Sequence, residues 1–170
     1  MEQTALPRQT RYHALAEELR RAALKVYGER LVSLAIFGSV GRGTARVDSD
    51  VDLLLIAEEL PKGRLSRVSE FEQVEERLRA TLAELASRGI RTELSPVLKT
   101  PAEAEAGSLL FLDLLTDSVI LFDRAGFLAC LLDRLAKRLK ELGARKIIKG
   151  NAWYWDLSPG LQAGEEFRLW

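Results

Sequence analysis

The sequence predicts an α/β domain: a small mixed sheet flanked by helices, with a short aromatic C-terminal extension. Three observations lead there. Two aliphatic runs, LVSLAIF (31–37) and VDLLLI (51–56), are too short for typical helices and bracket a glycine-rich polar segment. Longer stretches before and after them repeat apolar residues at steps of three and four. Finally, the two kinds of segment alternate along the chain, as in α/β architectures.

The elements follow in order. From about Arg11 to Gly28, Tyr12, Leu15, Leu19, Ala22, Ala23 and Val26 mark one helix face, and Gly28 is a natural stop. Leu31–Phe37 is read as a buried strand, Gly38–Ser49 begins as a turn, and Val51–Ile56 is a second strand that starts on acidic residues. Leu65, Val68, Phe71, Val74, Leu78, Leu82 and Leu85 make an amphipathic helix ending at Gly89. A third strand spans Ile90–Leu98, with Pro96 placing it at an edge or a bulge. One helix over Ala102–Leu115, a strand at Ser118–Phe122 and a helix from Phe127 to a cap near Gly143 complete the body. The tail, Lys146–Trp170, holds all three tryptophans and is expected to fold as a short strand or hairpin against the body. The expected division is a domain over 1–125, with the last helix and the aromatic tail, 126–170, packed on it.

Composition limits the function. Across 170 residues, 25 basic and 25 acidic side chains cancel, so no global field draws in nucleic acid or an anionic membrane. Apolar runs fall far short of the roughly 18 residues a membrane helix requires. The single cysteine, Cys130, cannot form an intramolecular disulfide, and Met1–Thr10 lacks the pattern of a signal peptide; a cytoplasmic protein is expected.

Chemistry concentrates in Phe37-Gly38-Ser39-Val40-Gly41-Arg42-Gly43 and Asp48-Ser49-Asp50-Val51-Asp52. Residues two apart on a strand share a face, so Asp50 and Asp52 set their carboxylates side by side. Adjacent anions repel unless a cation joins them, and Mg²⁺ takes one or two carboxylates while filling its shell with water and phosphate oxygens. Gly38 lets the backbone turn sharply and approach a phosphate, Ser39 offers a hydroxyl, and the following N–H groups can face one concavity. Arg42 either holds phosphate or anchors the turn; Gly43 shapes it. A phosphate cradle beside a metal pair suits nucleotidyl transfer, where positioning and charge neutralisation supply most of the catalysis.

This arrangement resembles the DNA polymerase β-type nucleotidyltransferases, whose signature is Gly-Ser, about ten residues, then Asp-x-Asp. Here Gly38-Ser39 is followed by Val40–Ser49 and then by Asp50-Val51-Asp52. The text GSVGRGTARVDSDVDLLL is similar to the minimal nucleotidyltransferases of bacteria and archaea. The resemblance implies the polymerase β-like fold and transfer of NMP, AMP in the first instance, from ATP or another NTP with Mg²⁺. It implies a third acidic residue on a later strand that helps hold metal and can act as base; the candidate is Glu93 in IRTELSPVL, in place of the usual Asp. Minimal nucleotidyltransferases commonly pair with a small helical HEPN-type protein, and some such pairs are toxin–antitoxin systems in which a tyrosine of the toxin receives AMP. The absence of a large acceptor-gripping domain favours a partner protein or a site assembled in a homo-oligomer. The residues beyond the minimal core leave open a small-molecule acceptor, as in aminoglycoside nucleotidyltransferases. A nucleotide-binding module without turnover would follow if Glu93 were displaced from the metal.

Other conspicuous residues have simpler readings. His13 and Cys130 cannot build a zinc site or a catalytic triad, and Cys130 falls among Phe127, Leu131 and Leu135, where packing is expected. Asp48 reads as a loop or helix-end residue. Trp153, Tyr154 and Trp155 are expected to close a core or an interface rather than stack a base. The basic run Arg134, Lys137, Arg138, Lys140, Arg145, Lys146 and Lys149 is read mainly as a solvated face.

Overall fold

The computed structural model describes residues 11–149, 152–160 and 166–170. Its element order is α1 (His13–Tyr27), β1 (Leu31–Ile36), α2 (Gly38–Gly41), β2 (Val51–Ala57), α3 (Arg64–Ser87), β3 (Leu94–Lys99), α4 (Pro101–Glu105), α5 (Leu110–Asp117), β4 (Val119–Asp123), α6 (Phe127–Glu141), β5 (Arg145–Lys149) and β6 (Ala152–Asp156). Strands β3-β2-β1-β4 form one mixed sheet: β1 runs antiparallel to β2 and β4, whereas β2 and β3 run parallel. A parallel pair needs a long crossover, and α3 supplies it.

Both faces of the sheet are covered, which explains why its two central strands are mostly aliphatic, with Ser33 in β1 and Asp52 in β2 as the exceptions. Leu34, Ile36, Leu53 and Leu55 face α1 and α3, where Leu15, Leu19, Phe71, Val74 and Leu78 close one core. Ala35, Leu54 and Ile56 face the other way, against Phe111 and Leu114 of α5 and Leu128, Leu131, Leu132 and Leu135 of α6. Asp52 lies at even spacing from Leu54 and Ile56, so the strand aims it at the layer that holds α5.

Two expectations are corrected. The helix expected over Ala102–Leu115 is two helices, α4 and α5, broken at Gly107. Gly107 adopts a positive φ of 83°, and the Trp170 ring occupies the space a Cβ there would need. Cys130 is exposed rather than packed, because the buried stripe of α6 runs through Leu128, Leu131, Leu132, Leu135 and Leu139 and leaves position 130 on the outer side. The remaining elements agree in type. Pro96 lies in β3, at the sheet edge, and the tail forms the β5–β6 hairpin. Among the described residues no helix is long and apolar enough to cross a membrane.

Candidate active site

The turn after β1 is built by two backbone anchors and one glycine. Phe37 N–H donates to the carbonyl of Asp52 at 2.9 Å, which ties the start of the turn to β2. Gly38 then takes a positive φ of 67°, a conformation that costs a side-chain-bearing residue roughly 1 kcal/mol or more. A Cβ at Gly38 would also collide with the Asp52 carboxylate oxygen Oδ2. The close approach between turn and acid is therefore physically real: glycine backbone rests directly on the carboxylate.

Helix α2 lasts one turn. Gly41 N–H donates to Phe37 O at 3.3 Å and Arg42 N–H to Gly38 O at 3.0 Å; the N–H groups preceding them have no acceptor within the helix, as at any helix start. The loop folds back by Thr44 N–H to Ser39 O at 2.9 Å, and Tyr12 Oη donates to Arg46 O at 3.1 Å. Ser39 is half-buried at the top of this turn, whereas Gly43 is exposed, with a φ of 75° and open space around it. Asp48 is exposed in the loop and pairs with Arg46 at 3.8 Å.

Arg42 anchors the turn. Its guanidinium donates to Asp117 Oδ2 at 2.6 Å, and Asp117 is only 5% exposed at the end of α5. Beside it, Gly41 packs so closely on the Asp117 carbonyl that no Cβ fits. One helical turn earlier, Asp113 shares that face of α5. The acids meet there. Burial, then the Asp50 charge, raise the Asp52 carboxyl above its ordinary value; Arg42 opposes this and Asp113 adds to it. Burial and Asp117 raise Asp113, against Lys146 and Arg42. Sequence reasoning missed Asp113 and Asp117, although two acids four apart on a largely apolar helix, LFLDLLTD, were a usable signal.

Asp50 is exposed, immediately before β2, and close enough to Asp52 to disfavour its ionisation. Asp52 is thus partly desolvated and faces the Asp50 charge, and a divalent cation between the two carboxylates would relieve both penalties on it. That donor set fits Mg²⁺, which takes one or two protein carboxylates and otherwise keeps water and phosphate oxygens. Glu93 is not gathered with them. Its carbonyl accepts from Val51 N–H at 2.9 Å, so its backbone lies beside the acidic end of β2. Its exposed carboxylate instead acts on Glu75 of α3 and is not among the groups that shift Asp52. Among the described residues, no three His, Cys, Asp or Glu side chains converge to hold a metal.

Comparison with known proteins adds the following. The model of the nucleotidyltransferase domain family matches residues 16–105, which include both aspartates, the turn and Glu93. A protein of Methanocaldococcus jannaschii, described as "Putative protein adenylyltransferase", is 33% identical over 142 residues, covering 82% of this chain and 90% of that protein. The crystal structure of a toxin–antitoxin pair, MntA–HepT, matches with a TM-score of 0.43 at 14% identity, over 76% of this chain and 88% of that one. A crystal structure from Shewanella oneidensis matches with a TM-score of 0.45 at 12% identity, over 75% and 87%.

Proposed function

Because the chain belongs to the nucleotidyltransferase domain family, we propose that it transfers AMP from ATP to a hydroxyl of a protein acceptor. The observation that carries this reading is the contact of Gly38 with the Asp52 carboxylate, which joins the glycine turn to an acidic pair. Asp50 and Asp52 would hold Mg²⁺, which on binding supplies charge neutralisation for the triphosphate. The Gly38-Ser39 turn receives the β- and γ-phosphates on its N–H groups and the Ser39 hydroxyl. The acceptor oxygen attacks the α-phosphorus, a new P–O bond forms, and the bond to the bridging oxygen of pyrophosphate breaks. The acceptor's proton goes to a base, the role we assign to Glu93, whose side chain would rotate away from Glu75 to reach it. Arg42 keeps the turn in register through Asp117; Gly43 provides its exit.

The acceptor class is supported by the adenylyltransferase description of the Methanocaldococcus jannaschii relative. The resemblance to minimal nucleotidyltransferases names a HEPN-type helical protein as the first acceptor to try. Incubation with ATP labelled at the α-phosphate, Mg²⁺ and a HEPN-type protein from the same organism should label that protein, and Asp50→Ala and Asp52→Ala should abolish the labelling. Undiminished labelling by both variants would refute the mechanism.

One observation favours a second reading. The separation of Glu93 from the aspartate pair suits a module that binds nucleotide without turnover. Binding of Mg²⁺–ATP with no release of pyrophosphate in the presence of acceptor would select it.

A further inference from the structure

We infer that Thr92, in the segment entering β3, is the positioning residue for Asp50. Its hydroxyl holds the peptide unit immediately before Asp50 and so aims the exposed carboxylate at the cation it would share with Asp52. The inference rests on the nucleotidyltransferase reading and deepens it, from which side chains take the metal to what keeps one of them in place.

The two aspartates are held differently. Asp52 lies inside β2, in register with Ser95 of β3, and its carbonyl accepts from Phe37 N–H at 2.9 Å. Asp50 lies one residue before the strand and is exposed. No hydrogen bond or ion pair among the described residues holds its carboxylate. Only its backbone fixes where that carboxylate points.

Each residue has two soft backbone dihedrals, one toward each neighbouring peptide plane. For Asp50 both planes are tied to the same stretch of chain. On the C-terminal side, Val51 N–H donates to Glu93 O at 2.9 Å. On the N-terminal side, Thr92 Oγ1 donates to Ser49 O at 2.7 Å, in a half-buried contact. With both planes held by adjacent residues, φ and ψ of Asp50 are set, and its Cα–Cβ bond has one direction.

A side chain serves this place because the ladder stops short of it. The β2–β3 register begins at Val51 and Leu94, beyond the Ser49 carbonyl. Threonine suits the position, since its β-branch restricts χ1 and presets the hydroxyl. Its single proton goes to Ser49 O, a carbonyl, which only accepts. Tyr12 stands beside it and acts elsewhere. The Tyr12 Oη donates to Arg46 O at 3.1 Å; burial raises this phenol, while Arg11 and a hydrogen bond with Thr92 oppose the rise. That bond and Arg91 N–H on Val47 O at 2.8 Å fix the body of the loop, upstream of Asp50. The Thr92 bond reaches the peptide that leads into Asp50 itself. Mg²⁺ demands near-ideal octahedral geometry, so a carboxylate left to wander binds it more weakly than one held still.

The test is equilibrium binding of Mn²⁺ with α,β-methylene-ATP, whose bridging carbon blocks cleavage at the α-phosphorus, read by calorimetry beside a thermal melt. Thr92→Val keeps the shape but loses the donor and should weaken binding about tenfold. Thr92→Ala, which also lacks the donor, should match it, and Thr92→Ser should bind within about twofold of wild type. Ser33→Ala, whose hydroxyl serves Asp123 in the core, should lower the midpoint without moving the affinity. In an Asp50→Asn background, where the carboxylate to be positioned is gone, adding Thr92→Val should change affinity by less than about twofold. Equal affinity of wild type and Thr92→Val overturns the inference and leaves the nucleotidyltransferase reading standing. A full loss in the Asp50→Asn background as well, or one shared by Thr92→Ser, assigns Thr92 a general structural role and also overturns it. A wild type that binds no analogue overturns both.

Discussion

Gly38 carries two constraints at once: a positive φ, and an Asp52 oxygen where its side chain would begin. Gly38→Ala should therefore lower stability by about 1 kcal/mol from backbone strain alone. The displaced carboxylate should weaken Mg²⁺–nucleotide binding at least about tenfold, because metal geometry tolerates little displacement. Calorimetry of nucleotide binding beside a thermal melt separates the two effects; loss of stability with unchanged affinity would contradict the geometry. The closeness of the Gly38 turn to Asp52, and of Asp52 to Asp50, was legible in the sequence because strand alternation and glycine chemistry are local properties. The commitment of Arg42 to Asp117 was not, since its partner lies 75 residues away across α5. Glu93 marks the opposite limit: backbone pairing puts it beside β2, but no pattern in IRTELSPVL says which way its side chain turns.

At the level of elements, Glu103 and Asp123 fasten helices to the sheet. Thr100 and Glu103 form a reciprocal capping box at the start of α4, and Glu103 also takes both arms of Arg67, at 2.7 and 2.9 Å. Arg67 in turn donates to Leu98 O on the open edge of β3, which it shares with Pro96 in protecting that edge. The Arg67 hydrogen bonds, then the Thr100 backbone, hold the Glu103 carboxyl down at about 2 from 4.5. A depressed carboxyl stabilises the fold above its unfolded value, and that stability is lost as pH falls. The stability gap between wild type and Glu103→Gln should thus be full above pH 4.5 and close progressively toward pH 2. Exposure of the pair limits the gap to about 1 kcal/mol; denaturant melts at several pH values would measure it. Asp123 accepts from Leu128 N–H at 2.9 Å, Ala129 N–H at 3.0 Å and the fully buried Ser33 hydroxyl at 2.7 Å. Asp123→Ala should cost about 2 kcal/mol or more, combining a lost helix cap with an unsatisfied buried hydroxyl. A denaturant midpoint unchanged by that substitution would show that solvent replaces both roles. Element types were readable from periodicity, but the break at Gly107 depends on Trp170, a contact across 63 positions that no local window contains. Likewise, heptad-like spacing on α6 did not reveal that Cys130 sits just off its buried stripe.

Across the whole molecule, an evenly balanced chain hides a local excess of negative charge. The acids of β2 and α5 converge at one end of the sheet, and only the folded topology brings them together. Folding against that repulsion should leave stability sensitive to divalent ions. Mg²⁺ with α,β-methylene-ATP should raise the thermal midpoint, and chelation should reverse the gain. A ligand at a hundred times its dissociation constant would contribute about 2.7 kcal/mol. In Asp50→Asn/Asp52→Asn the ligand should add nothing, while the unliganded protein should be as stable as wild type or more so, since the raised Asp52 carboxyl is a cost to the folded state. The most direct measurement is a crystal structure with Mn²⁺ and α,β-methylene-ATP, read by anomalous scattering. The account predicts a metal peak within coordination distance of both Asp50 and Asp52, with the triphosphate lying on the Gly38-Ser39 turn. A nucleotide bound elsewhere, or a metal held by Asp113 and Asp117 without the β2 pair, would contradict it.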